Sequence, residues 1–233
     1  MKTMIFTDLL TTKNSLITLL GIDVILGVFL TFTMQTLIGA TAAMTVIVPL
    51  MYLFSIGVYD EMNDWEGFRL TLPITRRQVV FGRYAGLVVV TLGAAVLALV
   101  VAHIVSTIGN TVPNAPSYIT SAEVGFVEAG LAALAGIAAV LLAASVTFPF
   151  LMRFGMTKAI RVIPIAALLL IVLVVGALQD SAVIAQLDSI DFATLFNGDL
   201  GFALAVAALC AVVAIIYVIS SLISVKLYAN REL

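Results

Sequence analysis

Residues able to do chemistry are few in this chain, and one of them stands alone. Asp23 interrupts an apolar run at 16–35, about seven residues in, which is ~10 Å along a helix rising 1.5 Å per residue. A charged group at that depth is costly in lipid and must face protein or a water-filled cavity. Two roles fit it: a cavity wall on a substrate path that attracts a cationic group, or a satisfied or protonated carboxyl bonded to neighbouring Thr or Ser. The clustered His, Glu, Asp or Ser/Lys groups that an intramembrane enzyme needs are missing from the apolar runs. The one histidine, His103, reads as a solvated residue near the outer surface, and the one cysteine, Cys210, as a small apolar packing residue. A cysteine cluster and an intramolecular disulfide are thereby excluded, and a histidine-ligated metal is not expected. Glu128 reads as interfacial. No catalytic residue, metal ligand or bound cofactor is expected on this chain.

Charge and aromatic rings concentrate instead at 59–84, YDEMNDWEGFRLTLPITRRQVVFGRY. Asn63 can cap a short helix with Glu66 at the third position, placing Trp65, Phe68 and Leu72 on one face before Pro73 ends it. Asp60, Glu61, Asp64 and Glu66 would sit at its start, where the helix dipole favours acids. Two readings remain open at this point. One is an interfacial helix with Trp65 and Phe68 among headgroups and arginines on lipid phosphates. The other is a docking element for a cytoplasmic partner, since aromatic anchors rimmed by charge are a usual hot-spot composition.

These residues hang on a framework that composition defines. Of 233 residues 63% are hydrophobic and 10% charged, against roughly 45–50% and 25% in soluble domains; mean hydropathy is +1.22. A soluble globule could not cover that much apolar surface, so lipid is the solvent for much of the chain. A net charge of -2 excludes a basic nucleic-acid footprint. Runs long enough to cross a bilayer occur at 16–35, 38–59, 84–108, 124–151, 162–178 and 202–225. The fold class is therefore an all-α integral membrane protein with six transmembrane helices in one domain, 1–233. The first run is read as a retained helix, because Asp23 interrupts it and a second run follows at once.

All eleven bases fall in the N-terminus, the second and fourth connections or the C-terminus. This positive-inside pattern puts both termini in the cytoplasm. Thr75 with Gln78 makes a capping box for the third helix, and Thr120 with Glu123 one for the fourth. Ala135, Ala139 and Ala143, and likewise Ala203, Ala207 and Ala211, form small-residue stripes that read as helix-packing seams. The methionines, including Met34, Met44 and Met51, read as core filler.

The stretch LTLPITRRQVVFGRY, 70–84, behind the acidic aromatic helix resembles the region after the second span in small six-helix permeases of ATP-binding-cassette type-2 exporters. FPFLMRFGMTKAIR, 148–161, is similar to their fourth connection, with its proline, phenylalanine-glycine and lysine-arginine pattern. Within that family the likeness is greatest to permeases of phenol-soluble modulin exporters. The resemblance implies an ATPase-coupling helix around 63–72, with Asp60, Glu61, Asn63, Trp65, Glu66, Phe68 and Arg69 at the contact. Arg153, Phe154, Gly155, Lys158 and Arg161 would form a second contact. Residues 1–12 would be an amphipathic helix on the inner leaflet, with Ile5, Phe6, Leu9 and Leu10 apolar; the role of the external segment 179–199 stays open.

A permease that moves a substrate uphill needs fuel, yet no G-x-x-x-x-G-K-[ST] loop is present; Gly155 and Lys158 have the wrong spacing. ATP and magnesium are therefore expected on a separate ATPase, two copies of which would drive two permeases by alternating access. The resemblance implies a bacterial cytoplasmic membrane and export of amphipathic or antimicrobial peptides. The rival classes are an intramembrane enzyme and a passive channel or regulatory membrane protein.

Overall fold

Helices form where the apolar runs are longest. The computed structural model describes residues 8, 10–62, 75–113, 116–120, 125–155 and 199–229, which are helical apart from short turns. Helix α1 is Lys13–Met34, α2 Leu37–Met62, α3 Arg76–Thr111, α4 Phe126–Phe154 and α5 Asp199–Ala229, with a short 3₁₀ turn at Ser117–Ile119. Five helices among the described residues are long and apolar enough to cross a membrane. The span expected at 162–178, the external segment 179–199 and the proposed helix at 63–72 lie outside the described residues. So do residues 1–7 and 9 of the expected amphipathic N-terminal helix.

The boundaries have local causes. Gln35 ends α1 in the left-handed conformation, with φ 51°, and the Thr36 hydroxyl accepts the Gly39 N–H at 3.3 Å to open α2. A left-handed non-glycine residue is strained by about 1–2 kcal/mol, and glycine's own entropic cost is about 0.5–1 kcal/mol. Gln35→Gly is thus expected to stabilise the hairpin by about 0.5–1 kcal/mol, read as a higher thermal midpoint in detergent. Thr75 and Gln78 form the reciprocal capping box anticipated from sequence. Because the box precedes Arg76, α3 has 36 residues, about 54 Å at 1.5 Å per residue, and starts two turns before the apolar run that begins at Tyr84.

Two expected local features are corrected. Helix α4 opens at Gly125 with no side-chain cap, and the Thr120 hydroxyl instead donates to the Ser117 carbonyl at 2.8 Å, closing the 3₁₀ turn. Helix α2 runs on through Asp60 and Glu61 to Met62, since no breaker separates Gly57 from Asn63. Those acids therefore lie in the last turn of α2, at the negative end of its dipole, and not at the start of a separate helix.

Helix α2 packs between α1, α3 and α4, while α5 lies on α4 and α3. The main core is formed by Tyr52, Leu53, Val80, Leu87, Val140 and Phe148 with Tyr228. Arg76 contacts the last carbonyls of α5, so α3 begins where α5 ends. Ser145, late in α4, meets Ser220, late in α5, so α4 ends there too. Lys13, Arg76, Arg77, Arg83, Arg153 and Lys226 all fall toward this basic end, while Glu128 starts α4 at the other.

Both alanine stripes are exposed. Helix α4 packs through the neighbouring stripe of Ala132, Gly136, Val140 and Ala144. Cys210 is also exposed and is not a packing residue. Of the methionines named above, Met44 is buried, whereas Met34 and Met51 are exposed. The exposed aliphatic side chains of α5, such as Leu204 and Ile215, suit a surface facing lipid.

Candidate functional site

The buried residues of α1 are Asp23, Gly27 and Thr31, a four-residue spacing that puts them on one side. A Cβ on Gly27 would run into Met44, so that side faces α2. Asp23 is 1% exposed, and neither carboxyl oxygen has a hydrogen-bond partner among the described residues. The buried hydroxyls along this side of α1 and on α2 are engaged by their own helices: Thr31 donates to the Gly27 carbonyl at 2.8 Å, Thr41 to Leu37 at 2.8 Å and Thr45 to Thr41 at 2.9 Å. This is the usual choice of Thr in a helix interior, where the carbonyl four residues back is always in reach. The alternative of a carboxyl satisfied by Thr or Ser is thereby corrected.

Helix α1 packs closely on α2 and lightly on α3. Between α1 and α3 are two cavities with apolar walls. The first, of about 530 Å³, lies between Val24, Val28 and Phe32 on α1 and Val101 to Gly109 on α3, with Pro116 and Ile119 at its far end. The second, of about 360 Å³, lies between Leu16 and Leu20 on α1 and Val90 to Val100 on α3, with Val48 of α2 also in its wall. Asp23 stands at the height where one gives way to the other and is a wall residue of neither.

At the basic end, hydroxyls reach across helices. Tyr217 of α5 donates its O–H to the Tyr84 carbonyl of α3 at 2.9 Å. The Tyr84 hydroxyl is 2.8 Å from Ser220 Oγ and 2.7 Å from Ser224 Oγ, and Ser220 donates to the Ser145 carbonyl of α4 at 2.6 Å. Each hydroxyl has one hydrogen, so the direction is fixed: Ser224 donates to Tyr84, Tyr84 to Ser220 and Ser220 to Ser145. The Ser145 carbonyl is open because Pro149, four residues on, lacks the N–H that would fill it. The Tyr84 ring also packs on Phe148 and Tyr217, with centroids 4.4 and 4.9 Å apart.

A second tie lies one turn beyond. The Arg76 guanidinium donates to the Tyr228 and Ala229 carbonyls at 3.0 and 2.9 Å and lies 5.9 Å from the Tyr228 ring centroid. Cations at a helix C-terminus complement its dipole. Arg83 and Asp8 are both buried, 3% and 7% exposed. Within the N-terminal segment the Thr12 hydroxyl donates to the Asp8 carbonyl at 2.8 Å.

Of the expected coupling residues, Arg153 and Phe154 are exposed at the end of α4, the guanidinium 5.2 Å from the Phe154 ring centroid. Gly155 caps that helix with φ 75°, a conformation glycine adopts freely. Asp60 and Glu61 end α2, while Asn63, Trp65, Glu66, Phe68, Arg69, Lys158 and Arg161 lie outside the described residues. His103 is exposed, two turns before the end of α3.

A family model described as ABC-2 family transporter protein matches residues 3–229. The chain belongs to the ABC-2 transporter family. Neither a curated protein nor a solved structure matches it. An ABC-2 membrane subunit is non-catalytic, and membership implies a partner ABC ATPase. The apolar helices agree with a multi-pass membrane protein. For this ABC-2 subunit the interhelical clamp of Tyr84, Ser145, Tyr217, Ser220 and Ser224 was missed from sequence. Two signals point to it: Tyr217, Ser220 and Ser224 are spaced i, i+3, i+7 on one face, and Pro149 opens a carbonyl on a neighbouring run.

Proposed function

We propose that this chain is the permease subunit of an ABC exporter that moves amphipathic or antimicrobial peptides out of a bacterial cytoplasm or its inner leaflet. Two permeases and two ATPases would work together, with ATP and magnesium held by the ATPases. The observation that carries the permease part of this reading is the family match over 3–229, while the peptide substrate and outward direction rest on the resemblance of 70–84 and 148–161. The collection of described bases at one end supports placing that end in the cytoplasm. Helix α4 ends and α5 begins at opposite ends of the bundle, which supports one further crossing between them and an even total.

The structure also suggests how force would travel. Segment 63–74 joins directly to Thr75 and the start of α3, where Arg76 grips the end of α5. A partner pushing on that segment would move α3 and α5 together, and α4 through the Ser220–Ser145 bond, rocking the bundle between two packings. An amphipathic helix partitions into the interfacial layer, from which a permease could collect it laterally.

Replacing Trp65 and Glu66 together with alanine is expected to reduce recovery of the ATPase in co-purification by about tenfold or more, because aromatic anchors dominate such contacts, with membrane insertion intact. Unchanged recovery would remove the coupling assignment. Peptide export is tested by ATPase turnover and peptide movement for the assembled complex in lipid discs. If no amphipathic peptide changes turnover or crosses the bilayer, the substrate assignment fails.

A further inference from the structure

We propose that Asp23 is the cation-binding residue of a substrate slot between α1 and α3, and that its ligand is an amphipathic helix carrying Lys or Arg beside its apolar face. The inference rests on the exporter reading and assigns that permease its binding residue. Three observations converge. The two cavities form one interrupted slot: Leu20 ends the wall of one on α1 and Val24 begins the other, while on α3 Val100 ends one and Val101 begins the other. Asp23 lies at this interruption, buried, with both carboxyl oxygens lacking a hydrogen-bond partner among the described residues. Helix α1 packs only lightly on α3, so this seam has less contact to lose than that with α2.

Burying an unpaired carboxyl is unfavourable, and a cation would supply what the surroundings lack. At about 100° per residue, Asp23 is offset from Leu20 by about 60° and from Val24 by about 100° around the helix. A rotation of α1 in that range would turn the carboxyl from α2 into the slot and join the two cavities. The occupant must then be apolar over a length greater than either cavity and cationic near its middle. An amphipathic helix with a basic residue flanking its apolar stripe has that pattern.

The test uses the full chain in zwitterionic phosphatidylcholine discs, a labelled amphipathic peptide containing lysine, and its twin with glutamine at the lysine positions. After subtraction of binding to empty discs, the wild-type chain is expected to bind the lysine peptide about tenfold more tightly than the twin. Asp23→Asn should abolish that preference, leave affinity for the twin unchanged and not lower the melting temperature. Asp23→Glu should retain the preference. Retention of the preference by Asp23→Asn, or no binding of either peptide above empty discs, overturns the proposal. Equal binding of an alkyltrimethylammonium probe and the lysine peptide also overturns it, since a detergent-like cation alone would then suffice. If the peptide preference holds while no ATPase assembles with the chain, the exporter reading falls and the site stands.

Discussion

Leucine at position 136 is expected to force α2 and α4 apart and abolish recovery of folded protein, while leucine at 130, on the same helix, leaves recovery unchanged. A Cβ on Gly136 would lie 2.8 Å from Thr45 Cβ and 3.0 Å from the Ala42 carbonyl oxygen, whereas one on Gly130 meets nothing within 4 Å. The carbonyl belongs to the α2 backbone, so relief requires moving a helix that also packs on α1 and α3. Overpacking by a methyl group costs about 1–3 kcal/mol, while exchanging glycine for alanine inside a helix gains about 1 kcal/mol. Gly136→Ala should therefore lose stability by up to about 2 kcal/mol on balance, and Gly130→Ala should gain. Leucine adds three further carbons at 136, and the clash then dominates. Gly27→Ala is a useful intermediate case, because its obstacle is the flexible Met44 side chain and not backbone. Thermal unfolding in detergent ranks the variants; equal midpoints for the 136 and 130 substitutions would break the argument.

The same contact explains what the sequence conveyed and what it withheld. The runs around Asp23, Pro49, Tyr84 and Pro149 were recognisable as membrane helices from length and hydropathy, and Thr75 with Gln78 fixed the start of α3 because a reciprocal cap is a local property. The choice of packing stripe was not local. Ala135, Ala139 and Ala143 are uniformly small, whereas the stripe one residue further on includes Val140, yet Gly136 opposite Thr45 decides for the latter. Asp23 was recognisable as an isolated buried acid. That it faces α2 and lacks a donor depends on where Thr31, Thr41 and Thr45 send their hydroxyls, which requires the helices to be assembled. The clamp was half visible: Pro149 announces an open carbonyl at Ser145, but only the placement of α5 supplies Ser220 to fill it.

The second large effect is expected at Tyr84. Truncation to alanine removes the ring from between Phe148 and Tyr217 and deletes the hydroxyl that receives from Ser224 and donates to Ser220. Loss of a buried aromatic side chain costs about 3–5 kcal/mol, so Tyr84→Ala should sharply lower the melting temperature. Tyr84→Phe keeps the ring and removes two interhelical bonds, each about 0.6 kcal/mol in membranes, for a loss of about 1 kcal/mol. If the clamp carries force from the ATPase, Tyr84→Phe should lower transport far more than ATP hydrolysis in the assembled complex; equal losses would mean it only supports the fold. Pro149 provides the sharper discrimination. Pro149→Ala would restore an N–H to the Ser145 carbonyl, making the Ser220 donor redundant there. Ser220→Ala should therefore cost about 1–2 kcal/mol with Pro149 present, because it leaves a buried carbonyl unfilled, and clearly less with alanine at 149. A double-mutant cycle on the two positions measures that difference directly. An additive cycle would show that Ser220 does not compensate for the proline, and the clamp would lose its physical cause.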